Sequence, residues 1–241
     1  MIRRLLLIFR LISPARSYAI FRFLVTVFLL FRRRSRWLLW QPLSPEELVE
    51  TIRGLGASFL KLAQVLATRA DFFSADYLHA LRQLHDRMPA MPAKDQQWVF
   101  QRAFSDPGVF AWFEPQPLAS ASIGQVHRAA LRETGEIVAV KLLRRDMQLQ
   151  VRTDIFLLNL FLRLFQPLFT DQTRHSIEAV LRAFSRVILQ EVSMQQELAN
   201  LEHFSQVYAD SGVRFPQPYP AYCCDTALVM SFESGVRFDD S

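Results

Sequence analysis

The chain has 241 residues, 51% of them hydrophobic and 21% charged, enough to bury a core in one large or two small domains and outside the range of disordered or collagen-like chains. Seven glycines and 12 prolines against 21 phenylalanines favour helices and argue against a turn-dense β-barrel. The formal charge of +5 conceals an asymmetry: residues 1–40 carry nine arginines and no acid, leaving 19 basic against 23 acidic residues in the remainder.

A block of that kind points to an anionic partner, nucleic acid or phospholipid. Its interleaving residues, Leu5–Phe9, Phe21, Phe23–Phe31 and Trp37–Trp40, are apolar or aromatic, which suits an interfacial amphipathic helix better than a DNA-binding arm. The longest apolar run, Phe23 to Phe31 with Thr26 within it, is well short of the roughly 20 residues of a spanning helix. The segment 1–43 is therefore expected to lie on a membrane surface; the other reading is a packed helix with a solvated basic face. Arg32–Arg34 follow the apolar run where a signal peptide would place small residues, so no cleaved leader is expected. The two cysteines are adjacent, at 223 and 224, and the five histidines lack paired spacing, so neither a disulfide framework nor a metal cluster is expected. Both observations fit a reducing compartment.

Ser44, Pro45, Glu46 and Glu47 mark a helix start, with Ser44 as N-cap and acids at the positive end of the helix dipole. A helical region with breaks follows to about Met88, where Pro89 and Pro92 end it. A further helix is expected at 94–104. From Val109 to Lys141 the texture is β, with a hairpin turn around Gly135. Helical periodicity returns over 146–207, and 213–232 reads as strands. The expected divisions are 1–43, a helical extension 44–108, and an α+β unit 109–241.

Two constellations carry chemistry. Kinases cover nucleotide phosphates with G-x-G-x-x-G-x-V and hold the α- and β-phosphates with the lysine of V-A-I-K. Here the first reads Ala119-x-Ala121-x-x-Gly124-x-Val126, with Ser120 and Ser122 between, and the second reads Val138-Ala139-Val140-Lys141. Alanines in place of two glycines restrict the backbone and alter how closely its N–H groups approach phosphate. The second constellation is on a helix over Leu55–Arg69. Leu55, Phe59, Leu62 and Leu66 form one face, and Lys61, Gln64 and Thr68 another. The chain has only three lysines, and two of them lie in these two motifs.

With these motifs in the same order, the sequence resembles the UbiB family of atypical protein kinase-like proteins, known for a role in ubiquinone (coenzyme Q) biosynthesis. Leu55–Gln64, continuing to Ala67-Thr68-Arg69-Ala70-Asp71, resembles the family's K-x-G-Q helix and S-T-R-P-D continuation. Glu191-Val192-Ser193 lies where the family has E-x-D, Glu197 matches the glutamate that pairs with the strand lysine, and Leu228-Val229-Met230 resembles the strand into the hinge. The resemblance implies an α+β fold, a helical extension packed on a kinase-like N-lobe of small antiparallel sheet plus helices. It implies that ATP, with Mg2+, is bound by Ala119, Ser120, Ala121, Ser122, Gly124, Val126, Lys141, Glu197 and Met230. Lys61, Gln64 and Glu191 take regulatory places, with Lys61 expected to face Glu191.

The departures are Ala63 for the motif glycine and Ser193 for the aspartate of E-x-D. The sequence stops at Ser241, before any catalytic-loop Asp or D-F-G, so no catalytic or metal-binding residue is expected in it and a longer protein is expected to supply them. The favoured reading is part of an atypical kinase or ATPase at the cytoplasmic face of the inner or plasma membrane. Its expected partners are nucleotide, anionic lipid, and quinone-biosynthesis proteins or lipid-like quinone precursors. The alternative is a non-catalytic membrane-associated scaffold or pseudokinase-like module. Nucleic acid is not expected, since the charge is confined to residues 1–40 and no nucleic-acid motif accompanies it.

Overall fold

A computed structural model describes residues 14–31, 40–68, 73–84 and 88–235. Helix α1 spans Pro14–Phe31. Helix α2, Pro45–Leu55, begins at a reciprocal capping box. The Glu47 amide donates to the Ser44 hydroxyl at 3.2 Å, and the Ser44 amide donates to the Glu47 carboxylate at 2.8 Å. Gly56, at φ 89°, then turns the chain through a backbone region that a side chain disfavours, and α3 runs from Ala57 to Leu66. The single helix expected over Leu55–Arg69 is thus split at Gly56, and Leu55 closes the preceding helix. The order continues with α4 (Ala75–Arg82), α5 (Ala93–Ala103), β1 (Phe110–Phe113), β2 (Ala119–Ser120), β3 (Gly124–Leu131) and β4 (Ile137–Leu143). Then come α6 (Met147–Phe165), α7 (Asp171–Glu191), α8 (Met194–Val207) and β5 (Ala227–Ser231).

These elements form two compact units, one comprising Met1–Asp86 with Gln148–Leu189, the other Arg87–Met147 with Gln190–Ser241. They cut across the linear divisions at 43 and 108, because the stretch 148–189 clusters with the amino-terminal helices.

The first unit is helical among its described residues. Phe23, Leu29, Leu48, Ile52, Phe59, Leu60, Phe184 and Ile188 are buried in it, and the Phe23 and Phe59 rings meet edge to face at 5.3 Å. Arg16 of α1 reaches both carboxylate oxygens of Asp154 on α6, at 2.8 and 3.0 Å, and the Leu55 carbonyl at 2.8 Å. The apolar run of α1 is therefore used inside the protein: Phe23, Val25, Phe28 and Leu29 are buried, so they are not offered to a membrane as an interfacial helix would offer them. The arginines at 3, 4, 10, 32, 33, 34 and 36 lie outside the described residues. Among the described residues no helix is long and apolar enough to cross a membrane.

The second unit holds an antiparallel sheet in the order β1-β3-β4-β5, with β2 also paired to β3. The β3–β4 hairpin turns at Gly135, whose amide donates to the Leu131 carbonyl at 2.9 Å. One sheet face, carrying Val138, Val140, Leu142, Ala129, Leu131 and Val229, packs with Val99, Phe100 and Phe104 from α5 and its end. The other packs Leu143, Leu228 and Met230 against Met194, Leu198 and Leu201 of α8. A strand covered on both sides explains why Ile137–Leu143 is apolar except at Lys141. The strands expected over 213–232 reduce to β5. Pro216, Pro218 and Pro220 lack amide donors, so the segment before β5 contributes only isolated bonds, such as the Tyr219 amide to the Val229 carbonyl at 2.9 Å.

Candidate functional site

Cross-strand register gathers the candidate residues on one sheet face. Ala119 lies opposite Val126, Val126 opposite Lys141, Lys141 opposite Leu228, and Ala139 opposite Met230. Directly paired residues share a face, as do residues two apart on a strand, so Ala119, Val126, Ala139, Lys141 and Met230 all look the same way. This is the α8 side. Glu197, in the first turn of α8, accepts from Lys141 Nζ through both carboxylate oxygens, at 2.7 and 2.6 Å. The pair is partly exposed, at 21% and 32% of the two side chains, which holds the ammonium in place while leaving it accessible. Ser193 caps α8, its hydroxyl accepting from the Gln196 amide at 3.2 Å, so the serine at the E-x-D position starts the helix that delivers Glu197.

The alanine-rich loop crosses between β2 and β3. Gly124 is required there by close approach, since a Cβ would sit 2.6 Å from the Leu142 carbonyl oxygen of β4. Ser120 faces the other way, opposite Gln125, and its hydroxyl donates to the Pro89 carbonyl at 3.2 Å; Ser122 is buried. The loop is further held by Arg144, which the motif reading did not single out. Its guanidinium donates to the carbonyls of Ala121 at 3.0 Å and Pro89 at 2.6 Å and to the Ser120 hydroxyl at 3.0 Å, while its amide donates to the Ile123 carbonyl at 2.8 Å. Burial pulls its pKa down from the ordinary arginine value.

Behind the loop, on the α5 side, runs a buried polar relay. The Met91 amide donates to Gln125 Oε1 at 2.8 Å. Gln125 Nε2 lies 2.7 Å from His127 Nε2, and His127 Nδ1 lies 2.9 Å from the Glu114 carbonyl. One tautomer satisfies all three contacts, with the proton on Nδ1 and Nε2 accepting. Burial lowers the His127 pKa, against the smaller opposing pull of the Glu114 carbonyl, and so favours that neutral form.

A lysine–glutamate pair, a covered antiparallel sheet and a small-residue loop over one face are the parts of a kinase nucleotide lobe. The model of the ABC1 atypical kinase-like domain matches residues 83–241. The chain belongs to that family. This ABC1-type chain is 35% identical to an uncharacterised protein of Synechocystis over 86% of its own length and 36% of the relative's. It is 32% identical to a probable protein kinase UbiB of Tolumonas auensis, over 88% and 40%. It is 31% identical to the chloroplastic activity of bc1 complex kinase 1 of Arabidopsis thaliana, over 83% and 30%. The chain thus spans 30–40% of the length of these relatives.

Of the remaining candidates in this ABC1-type chain, Lys61 and Gln64 lie half-buried on α3 in the helical unit, whereas Glu191 belongs to the sheet unit. Ala63, at the motif glycine, is completely buried. Asp71 and His85–Arg87 lie outside the described residues. Among the described residues no group of three His, Cys, Asp or Glu side chains is placed to hold a metal ion.

Proposed function

We propose that this chain supplies the ATP-binding lobe of a UbiB-type atypical kinase-like protein that works at an anionic membrane surface in support of ubiquinone biosynthesis. The observation that carries the nucleotide reading is the bidentate Lys141–Glu197 pair on the face that also presents Val126, Ala139 and Met230. These apolar side chains suit a planar base, and the ammonium suits the α- and β-phosphates. ATP supplies a transferable phosphoryl group, and Lys141 and the loop would hold its phosphates. The residues present fit ATP, and Mg2+ would come bound to its phosphates. Lys61, Gln64 and Glu191 are assigned a regulatory role over this site, by resemblance to the family. The membrane and quinone parts rest on the arginine-rich residues 1–40 and on the relatives named UbiB.

Titration of the purified chain with a fluorescent ATP analogue tests the nucleotide reading. Lys141→Ala removes a charge-assisted contact of about 1.5–3 kcal/mol, so affinity should drop about tenfold or more, and Glu197→Gln should weaken it less. Binding of equal strength by the parent and Lys141→Ala, or none by the parent, would count against the assignment.

A further inference from the structure

Helix α6 turns Val151, Asp154, Leu158 and Leu162 inward, and its opposite face is also apolar. Phe156 is 63% exposed, Leu160 39% and Leu164 67%, at intervals of one helical turn. A helix apolar on both faces is ordinarily covered on both. The exposed strip is bordered by Arg152 and Arg163, which fall on the same edge of the helix about three turns apart, and both are exposed. Asp154, the sole acid of the helix, is turned inward and ion-paired with Arg16. The outer face therefore offers cations and hydrocarbon with no negative charge.

We infer that this face of α6, Phe156, Leu160 and Leu164 with Arg152 and Arg163, is the element that enters an anionic lipid surface. The inference deepens the membrane reading above and rests on it. It relocates the apolar part of the contact from the amino-terminal run, whose Phe23, Val25, Phe28 and Leu29 are buried, to α6 of the same compact unit. Aromatic and leucine side chains beside arginines are what an interfacial helix presents, the hydrocarbon entering below the headgroups and the guanidiniums meeting phosphate. A second copy of the chain is the weaker occupant. Three side chains cover at most about 500 Å², below the roughly 800 Å² per partner of a stable interface, and an arginine-bordered patch repels its own image.

Co-sedimentation of the full chain with vesicles of phosphatidylcholine plus phosphatidylglycerol, and with phosphatidylcholine alone, tests this. The parent should bind the anionic vesicles. Phe156→Ser/Leu160→Ser/Leu164→Ser should reduce that binding by about tenfold or more, and Arg152→Gln/Arg163→Gln less, with added salt weakening the parent and the serine variant alike. The single variants Phe156→Ser and Leu164→Ser give the same reading with less perturbation, and circular dichroism checks that each is folded. Full binding by a folded triple variant would overturn the assignment to α6 while leaving the membrane reading intact. No binding by the parent would overturn the membrane reading itself. Conversion of a dimer to a monomer by the serine variants, with vesicle binding unchanged, would assign the strip to self-association instead.

Discussion

Arg144 shows how one side chain outside any motif sets the shape of the candidate site. Its guanidinium ties together Ala121 and Ser120 of the loop and Pro89, 55 residues earlier. Two glycines of a kinase loop are alanines here, and an arginine clamp on loop carbonyls restrains the same segment from beneath. Arg144→Ala should loosen it. Amide exchange at Ala121, bonded to the Gly124 carbonyl, should speed up, and ATP-analogue affinity should fall several-fold with the sheet intact. Arg144→Lys should recover only part, since an ammonium lacks the planar fork that spans several acceptors. Unchanged exchange and affinity in Arg144→Ala would show that the clamp is idle. Lys141 and Glu197 were legible because a motif fixes their residue types; Arg144 was not, because its partners are backbone atoms that any residue supplies. His127 was equally silent and makes a pH prediction. Its pKa is lowered in the fold, so the unfolded chain binds more protons between that lowered value and about pH 6.5, its unfolded value. The stability it contributes is complete above that pH and is lost as pH falls through the lowered value. Urea midpoints at about pH 7.5 and about pH 5.5 should therefore differ less in His127→Gln than in the parent.

At the scale of elements, local chemistry predicted what local chemistry determines. The helix start at Ser44, with Glu47 in its first turn, and the hairpin at Gly135 both use partners within a few residues. What sequence reading missed depended on distant partners. Gly124 was assigned to shape the phosphate loop, and the close approach of β4 supplies a second reason for it. In Gly124→Ala the methyl would meet a backbone oxygen at 2.6 Å, so β3 and β4 must separate. A loss of about 1–3 kcal/mol in urea unfolding is expected, the usual cost of overpacking, and a neutral result would show that the hairpin yields freely. The Arg16–Asp154 pair joins α1 to α6 across 138 residues. Burial raises the Asp154 pKa, and Arg16 opposes that rise. Arg16→Met would strand a carboxylate whose side chain is 1% exposed, with an expected cost of about 3–5 kcal/mol near neutral pH. Because a carboxyl can neutralise itself by taking a proton, the deficit should shrink as pH falls. A deficit independent of pH would mean that packing, not charge, is what the arginine supplies.

The whole molecule separates its two proposed tasks by compact unit in a way that linear reading could not. Composition placed the basic segment at the start and motifs placed the nucleotide loop and lysine strand after residue 109, but nothing in the periodicity of 148–189 reveals that those helices cluster with the amino-terminal ones. Their apolar stripes fit either neighbour, and only the tertiary choice decides. As a result Lys141, Glu197, Arg144, Val126 and Met230 all belong to the unit formed by Arg87–Met147 and Gln190–Ser241, whereas α1 and the exposed strip of α6 belong to the other. Losing a contact in one task should therefore spare the other when the second ligand is absent, because no binding energy is shared in that measurement. In nucleotide-free buffer, Lys141→Ala should sediment with anionic vesicles as the parent does. Without vesicles, Phe156→Ser/Leu164→Ser should bind the ATP analogue with parental affinity. If either variant loses both activities while its circular dichroism stays native, the two tasks draw on a common surface and their assignment to separate units fails.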